Sequence, residues 1–551
     1  MNFKRLPSAL VLGLLLAGHA VAATPEPRPN ILLILADDLG YSDLGAFGGE
    51  ISTPRLDQLA KDGVQLTGMY GAPTCSPTRA MLMSGTDNHL AGLGSMAEGL
   101  QPFQRGKPGY EGFLNQRSYS IAELLRDGGY HTLMAGKWHL GLAPDQGPDQ
   151  RGFEQSFTLL EGGAAHFKPA RVAPSKLEQV HYRENGLPVE VPDDFYSTDF
   201  YTDKLISYLQ NTPKDGKPFF AYAAYTSPHW PLQAPESYLQ KYQGRYDQGY
   251  DSVRLARIAR MKKLGLLAAD FQPAQPLPAN PKLPQWEQLS PEQQKLEARK
   301  MEIYAAMVDN LDHNIGRLLD YLRKSGQYDN TLIVFMSDNG AAGENHAQFY
   351  PVAANTDNSY ANLGRRGSQI DYGLRWAEVS AAPLHLFKGT TAEGGISVPA
   401  LMRLPKALQR QGLEPGVARV DDLAPTFLAL AGLPLPAVAG KHPITGRSLL
   451  PLLAGQGSPH AAAPLAGELF GNSYYREGNL KLLGVRPQVG FGDAPQPLQW
   501  QLFDLSTDRG ERHDLAAEQP QTVQRLRQAW QDYAQRVGVV FPPAAKTASV
   551  P

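Results

Sequence analysis

Cysteine is nearly missing: the 551 residues include one, Cys75. A single thiol makes no internal disulfide and cannot build a multi-cysteine metal site. An excess of one charge is missing too. Lysine and arginine number 52 against 54 aspartates and glutamates, a formal net charge of -2. That balance provides no basic field for nucleic acid or anionic lipid, so no nucleic-acid partner is expected. Beyond the first two dozen residues no apolar run is long enough to span a bilayer, and no stable membrane anchor is expected. Plentiful instead are glycine, 54, and proline, 45, in a chain that is 42% hydrophobic. This mixture describes a packed core crossed by many loops. The length predicts two to four domains, or one large α/β domain with an appendage.

The start of the chain reads differently. Lys4 and Arg5 precede ALVLGLLLAGHAVAA, followed by polar, proline-rich TPEPRPN. A basic segment, a short apolar segment and the small-residue site Ala20-Val21-Ala22 predict a signal peptide over residues 1–23, cleaved near Ala22 or Ala23. The mature chain is then exported and periplasmic. With one cysteine it draws no covalent stability from an oxidising compartment.

NILLILADDLG is a wholly apolar run that ends in two carboxylates. It predicts a buried parallel strand, Ile31 to Leu35, feeding a polar loop. TLIVFMSDNG repeats the pattern, with a strand from Leu332 to Phe335 before Asp338-Asn339-Gly340. TLMAGKWHLG and FFAYAAYTSPHWPL end in basic or histidine residues, and SVPALMRLP is a fifth strand candidate. Helical patterns alternate with these runs, among them TPRLDQLAKDG, SIAELLRDGGY, TDKLISYLQN and KMEIYAAMVDNLDHNIGRLLDYLRKSG. Alternation predicts an α/β sandwich with a large, mostly parallel central sheet. The proline-rich stretch LLAADFQPAQPLPANPKLPQWEQLSPEQQ predicts a surface excursion, and residues 340–383 a long irregular loop. From about residue 441, short antiparallel strands and the helix TVQRLRQAWQDYAQRVG predict a smaller α+β domain. The expected division is therefore a large α/β domain, 24–440, and a smaller one, 441–551.

Sheets of this kind carry their sites beyond the carboxyl ends of the strands. Convergence there would bring together Asp37, Asp38 and Asp338, with Asn339 adding an amide oxygen. Bare carboxylates about 4 Å apart repel by roughly 4 kcal/mol per pair at a dielectric near 20. An oxygen-only donor set suits calcium or magnesium and does not suit zinc. Turn and cap chemistry is the plain alternative for each motif. Lys137 and His139 stand two apart and would share a face if extended. With His229 and Lys388, each near the end of another strand, they form a candidate anion site. SPTRAMLMSG predicts a helix with Ser76 as cap, Pro77 in the first turn and Gly85 at the stop. Cys75 then lies at a helix N-terminus, where an anion is favoured, with Arg79 one turn on along the same face. A small buried hydrophobe and a thiolate nucleophile are the other readings of Cys75.

Cys75-Ser76-Pro77-Thr78-Arg79 matches the C-x-P-x-R signature of the formylglycine-dependent sulfatases. LADDLGYSDLGAFGG, GTDNHLAGLGSMAE, MAGKWHLG, SPHWPLQAP and FMSDNGA resemble segments of the bacterial arylsulfatases in the same order, over nearly the whole mature chain. The resemblance implies an alkaline phosphatase-like fold with a smaller C-terminal domain carrying an antiparallel sheet. It implies that a maturation enzyme oxidises Cys75 to formylglycine, an aldehyde. In the hydrated aldehyde one hydroxyl attacks sulfur, and the second later expels sulfate. Asp37, Asp38, Asp338 and Asn339, with an oxygen at position 75, would bind one calcium ion. Arg79 and Lys137 would stabilise the hydrate, and His139 would be the base for elimination. His229 and Lys388 would hold the sulfate, with His229 protonating the leaving oxygen. A monomer acting on a small sulfate ester is the expectation. The alternatives are a phosphonate monoester or phosphodiester hydrolase on the same fold, and a non-catalytic protein that binds sulfated ligands.

Overall fold

The computed structural model describes residues 28–168, 180–344, 356–461, 463–485 and 498–541. The expected signal peptide lies outside the described residues. At the centre of the molecule is the strand Asn30–Ala36, buried at every position. After Asn30 its sequence is unbroken apolar, and alternation explains why. Leu32, Ile34 and Ala36 enter one core, whereas Ile31, Leu33 and Leu35 enter another on the opposite face of the sheet. A strand covered on both sides has no place for a polar residue until it ends.

Thr331–Ser337 and Phe219–Ala224 flank this strand in parallel. His131–Lys137 and Gln155–Leu159 extend the parallel set. The full sheet has ten strands and is mixed. Its parallel pairs hold the centre, and antiparallel pairs appear toward the edges. Ala400–Arg403 runs antiparallel to Thr331–Ser337, pairing Ala400 with Met336. The chain between them leaves and re-enters the sheet at the same end. Register does the rest: Ala36 pairs with Ser337, so Asp37-Asp38 and Asp338-Asn339 emerge level with each other. Gly136, just before Lys137, has φ +121°, and a Cβ there would lie 1.8 Å from the Ala224 carbonyl oxygen. Only glycine permits that approach between the two strand ends.

The longest helix, Pro291–Lys324, starts at Ser290, whose side chain accepts from the Gln293 amide in a capping box. The proline-rich excursion is pinned to the fold by Trp286, which packs edge-on against Tyr250 and Trp376. No helix among the described residues is long and apolar enough to cross a membrane.

A separate four-stranded antiparallel sheet spans Leu465–Leu469, Asn472–Glu477, Leu480–Val485 and Gln499–Asp504. The helix Pro520–Val537 buries Leu526, Trp530 and Tyr533 against it. Two buried charge clusters fasten this layer to the large one. In the first, the Lys481 Nζ lies 2.9 Å from Glu393 and 2.8 Å from Glu511. In the second, the His89 ring lies 3.0 Å from Asp87 and 3.2 Å from Glu468. Burial opposes charging His89, but hydrogen bonds to Asp87 and Glu468 push its pKa up to about 9 from 6.5. A raised histidine contributes its full stability below pH 6.5 and loses it as pH rises through about 9. The amount is about 3 kcal/mol at 1.36 kcal/mol per pH unit. Thermal unfolding followed between pH 6.5 and 9 should show this loss, and His89→Gln should flatten it.

Candidate active site

The helix Cys75–Ser84 opens with Cys75 as its first residue, after Thr74 in an extended conformation, and closes at Gly85 with φ +67°. Ser76, the expected cap, lies one step inside, because Thr74 already makes the turn from extended to helical backbone. Pro77 falls among the first residues, whose N–H groups have no partner within a helix. Arg79 projects one turn on. Its Nε and Nη2 donate to Asp338 Oδ2 at 3.1 and 2.9 Å, and its Nη1 donates to the Lys137 carbonyl at 3.0 Å. The Lys137 Nζ donates to Asp37 Oδ2 at 2.7 Å, and the Lys388 Nζ to Asp38 Oδ2 at 2.9 Å. Cys75 Sγ lies 3.3 Å from Asp37 Oδ1 and 3.7 Å from Asp38 Oδ1. His229 Nε2 lies 3.6 Å from Asp38 Oδ2. Asn339 Nδ2 donates to Asp38 Oδ1 at 2.7 Å. All these side chains are buried.

Each carboxylate therefore has its own cation: Lys137 for Asp37, Lys388 for Asp38, Arg79 for Asp338. Their mutual repulsion is offset by the protein's own bases and does not require a metal. These three carboxylates and three bases balance, Glu344 at 3.6 Å from the Lys388 Nζ adds one negative charge, and a bound dication would still turn the cluster net positive, a charge that suits an anionic ligand.

The electrostatics sort the groups. Burial favours neutral Asp38, but Lys388, His229 and Lys137 hold its carboxyl well below the usual range. Asp338 goes the other way: burial and then Asp37 push it up to about 6, against the pull of Arg79 and Lys137. Burial, Asp338 and Asp37 push the Cys75 thiol well above its ordinary value. A thiol so disposed is a poor thiolate, which disfavours reading unmodified Cys75 as the nucleophile.

Donor atoms of Asp37, Asp38, Cys75 and His229 all lie within 4.8 Å of one another, close enough to hold a metal ion. Asn339 Oδ1 is buried without a hydrogen-bond partner among the described residues. Turning that amide over would aim the oxygen at the Asp38 carboxylate, an arrangement that requires a cation between them. The residues present thus fit a divalent cation. Asp338 contributes less directly, since Oδ2 is committed to Arg79 and Oδ1 lies 3.2 Å from the Asp38 amide.

His139 does not share a face with Lys137 by strand alternation, because its backbone turns left-handed at φ +55°. Asp38 does the same at +65°. Such conformations are costly for residues with a Cβ and concentrate at functional sites. His139 Nε2 lies 3.0 Å from Glu98 Oε1. Two adjacent glycines rest on the two histidines. A Cβ at Gly162 would lie 2.6 Å from His139 Cε1, and one at Gly163 2.9 Å from His229 Cε1. No sequence pattern points to Glu98, Gly162 or Gly163. Glu98 is a lone acid in the irregular segment GSMAEGL, and the glycine pair in EGGAA, just after the strand Gln155–Leu159, offers no side chain of its own to mark it.

A protein-family model described as Sulfatase matches residues 29–433. An uncharacterized sulfatase of Schizosaccharomyces pombe is 43% identical over 544 residues, covering 94% of this chain and 95% of that protein. An arylsulfatase of Klebsiella aerogenes is 42% identical over 453 residues, covering 81% of this chain and 95% of that protein. The solved structure of Ps i-CgsB in complex with k-i-k-neocarrahexaose is 26% identical with a TM-score of 0.66, covering 92% of this chain and 93% of that one.

Proposed function

This chain belongs to the sulfatase family and is a sulfuric ester hydrolase, and from that premise we propose that it is an arylsulfatase, hydrolysing sulfate monoesters with an aromatic leaving group. The observation that carries this reading is the buried meeting of Cys75, three paired carboxylates and His229 at the carboxyl ends of the central strands. Similarity to the Klebsiella arylsulfatase supports the aryl leaving group.

A calcium ion held by oxygens of Asp37, Asp38, Asp338 and Asn339 would supply Lewis-acid charge at the sulfate. Formylglycine made from Cys75 would supply, as its hydrate, two hydroxyls on one carbon, one to attack sulfur and one to release sulfate. The chain's own residues do the rest. Lys388 and His229 approach the same oxygen of Asp38 from different elements, so a sulfate beside that carboxylate meets both. Arg79 and Lys137 fix Asp338 and Asp37 beside position 75. Asp338 takes the proton of the attacking hydroxyl, His229 protonates the leaving phenolate, and His139 takes the proton in sulfate release. Each preorganised donor contributes roughly 2.7–4 kcal/mol to the transition state, by analogy with oxyanion holes. Since Cys75 is only 2% exposed, its maturation enzyme has to act before the fold closes. The basic–apolar–small pattern of residues 1–23 supports export to the periplasm. Residues 24–440 act as the catalytic domain of a monomer, and 441–551 as its appended layer.

Protein matured in its own host tests the reading by its turnover of an aryl sulfate against an aryl phosphonate monoester and an aryl phosphodiester. Faster sulfate release is expected. Preference for the phosphorus esters would mark a phosphonate or phosphodiester hydrolase, and binding of a sulfated ligand without release would mark a binding protein. Gly163→Ala should lower kcat/KM about 10- to 100-fold, because its Cβ displaces the His229 ring while the fold stays intact. Steady-state kinetics beside a thermal melt separate the two effects.

A further inference from the structure

We propose that Glu98 is a positioning residue: it holds His139 in the Nε2–H tautomer, so that Nδ1 is the nitrogen that takes the proton during sulfate release. The assignment of the step rests on the reading of His139 as its base. The tautomer rests on geometry alone.

Glu98 Oε1 lies 3.0 Å from His139 Nε2. Its side chain is 45% exposed, so it is a carboxylate at neutral pH and can only accept a hydrogen bond. Nε2 must therefore be the donor. At the other side of the ring, Nδ1 is buried with no partner among the described residues, and His139 is 8% exposed overall. A proton on Nδ1 would be a buried, unpaired N–H, costing the ring about 1–3 kcal/mol. It would also leave the Nε2 lone pair facing a carboxylate. Both effects select the same tautomer. A neutral imidazole whose far N–H is held by a carboxylate has its other nitrogen free as a base.

The pair is held in place from outside. A Cβ at Gly162 would lie 2.6 Å from His139 Cε1, 2.7 Å from Nε2 and 3.2 Å from Glu98 Oε1. The glycine backbone thus lies against the contact itself, where any side chain would wedge it apart. Glu98 comes from the short turn Ala97–Gly99, and His139 from just beyond the strand His131–Lys137. The contact joins two segments that no sheet ladder connects.

The test uses the full chain labelled with 15N-histidine. Ring-nitrogen shifts report the tautomer, and the difference from His139→Asn assigns the His139 signals. Wild type should show a protonated Nε2 and a bare Nδ1, and Glu98→Ala should show a tautomer mixture. In matured protein Glu98→Ala should lower kcat about 10- to 100-fold with KM little changed. It should accumulate sulfate on position 75, seen by intact mass, and added formate should restore part of the rate. A wild-type ring protonated at Nδ1, or the same tautomer in Glu98→Ala, would overturn the proposal. A tautomer lost in Glu98→Ala with kcat unchanged would overturn the role in sulfate release. Wild type that releases no sulfate from any aryl ester would count against the arylsulfatase reading, and the spectra would still decide the tautomer.

Discussion

Cys75→Ser, made in a host that leaves serine unaltered, should release at most about one equivalent of phenol per protein from an aryl sulfate and then stop. The serine hydroxyl takes the place of the thiol, which lies 3.3 Å from Asp37 and 3.7 Å from Asp38. Arg79, Lys137, Lys388 and His229 keep their partners, so attack on sulfur and departure of the phenol remain possible. The product is a sulfate ester on the serine. Its carbon carries one oxygen and lacks the second hydroxyl needed to expel sulfate. Intact mass should show the adduct, and Cys75→Ala should show neither burst nor adduct. Sustained turnover by the serine variant would mean that water cleaves the ester directly and that the lone cysteine has another reason.

Removing the divalent cation should abolish turnover, by at least about 100-fold on the scale of lost oxyanion stabilisation, and leave the protein folded. The two halves of that expectation have different sources. Activity is lost because the sulfate no longer meets a net positive cluster. Folding survives because Asp37, Asp38 and Asp338 keep Lys137, Lys388 and Arg79 at 2.7, 2.9 and 2.9 Å. The thermal midpoint should fall only by the binding energy of the ion. Calcium should restore activity better than zinc. Full activity in protein shown by elemental analysis to be metal-free would refute the assignment. Unfolding on chelation would show that the basic partners do not balance the carboxylates.

The strand ends were legible in the sequence because a strand buried on both faces stays apolar until it leaves the sheet. Asp37 and Asp338 each follow within two residues of such a run. Which charge pairs with which was not legible. Lys388 reaches Asp38 across 350 positions of sequence and Lys137 reaches Asp37 across 100, and no local pattern encodes that. From the sequence alone the three carboxylates repel one another, whereas the fold supplies a base to each. The left-handed backbone at His139 likewise defeats an argument from strand alternation. At the sheet edge, Tyr182–Glu184 and Leu187–Val189 are three residues each and partly exposed, too short and too polar to announce themselves. Glu98 and the glycine pair act through contacts with the histidines, and periodicity is blind to those.

The formylglycine nucleophile is best tested by the mass of the proteolytic peptide that contains Cys75, taken from protein made in its own host and active on an aryl sulfate. Formylglycine at position 75 would give a peptide whose side chain is an aldehyde or its hydrate in place of the thiol. An intact thiol at position 75 in protein that turns over aryl sulfate would contradict it.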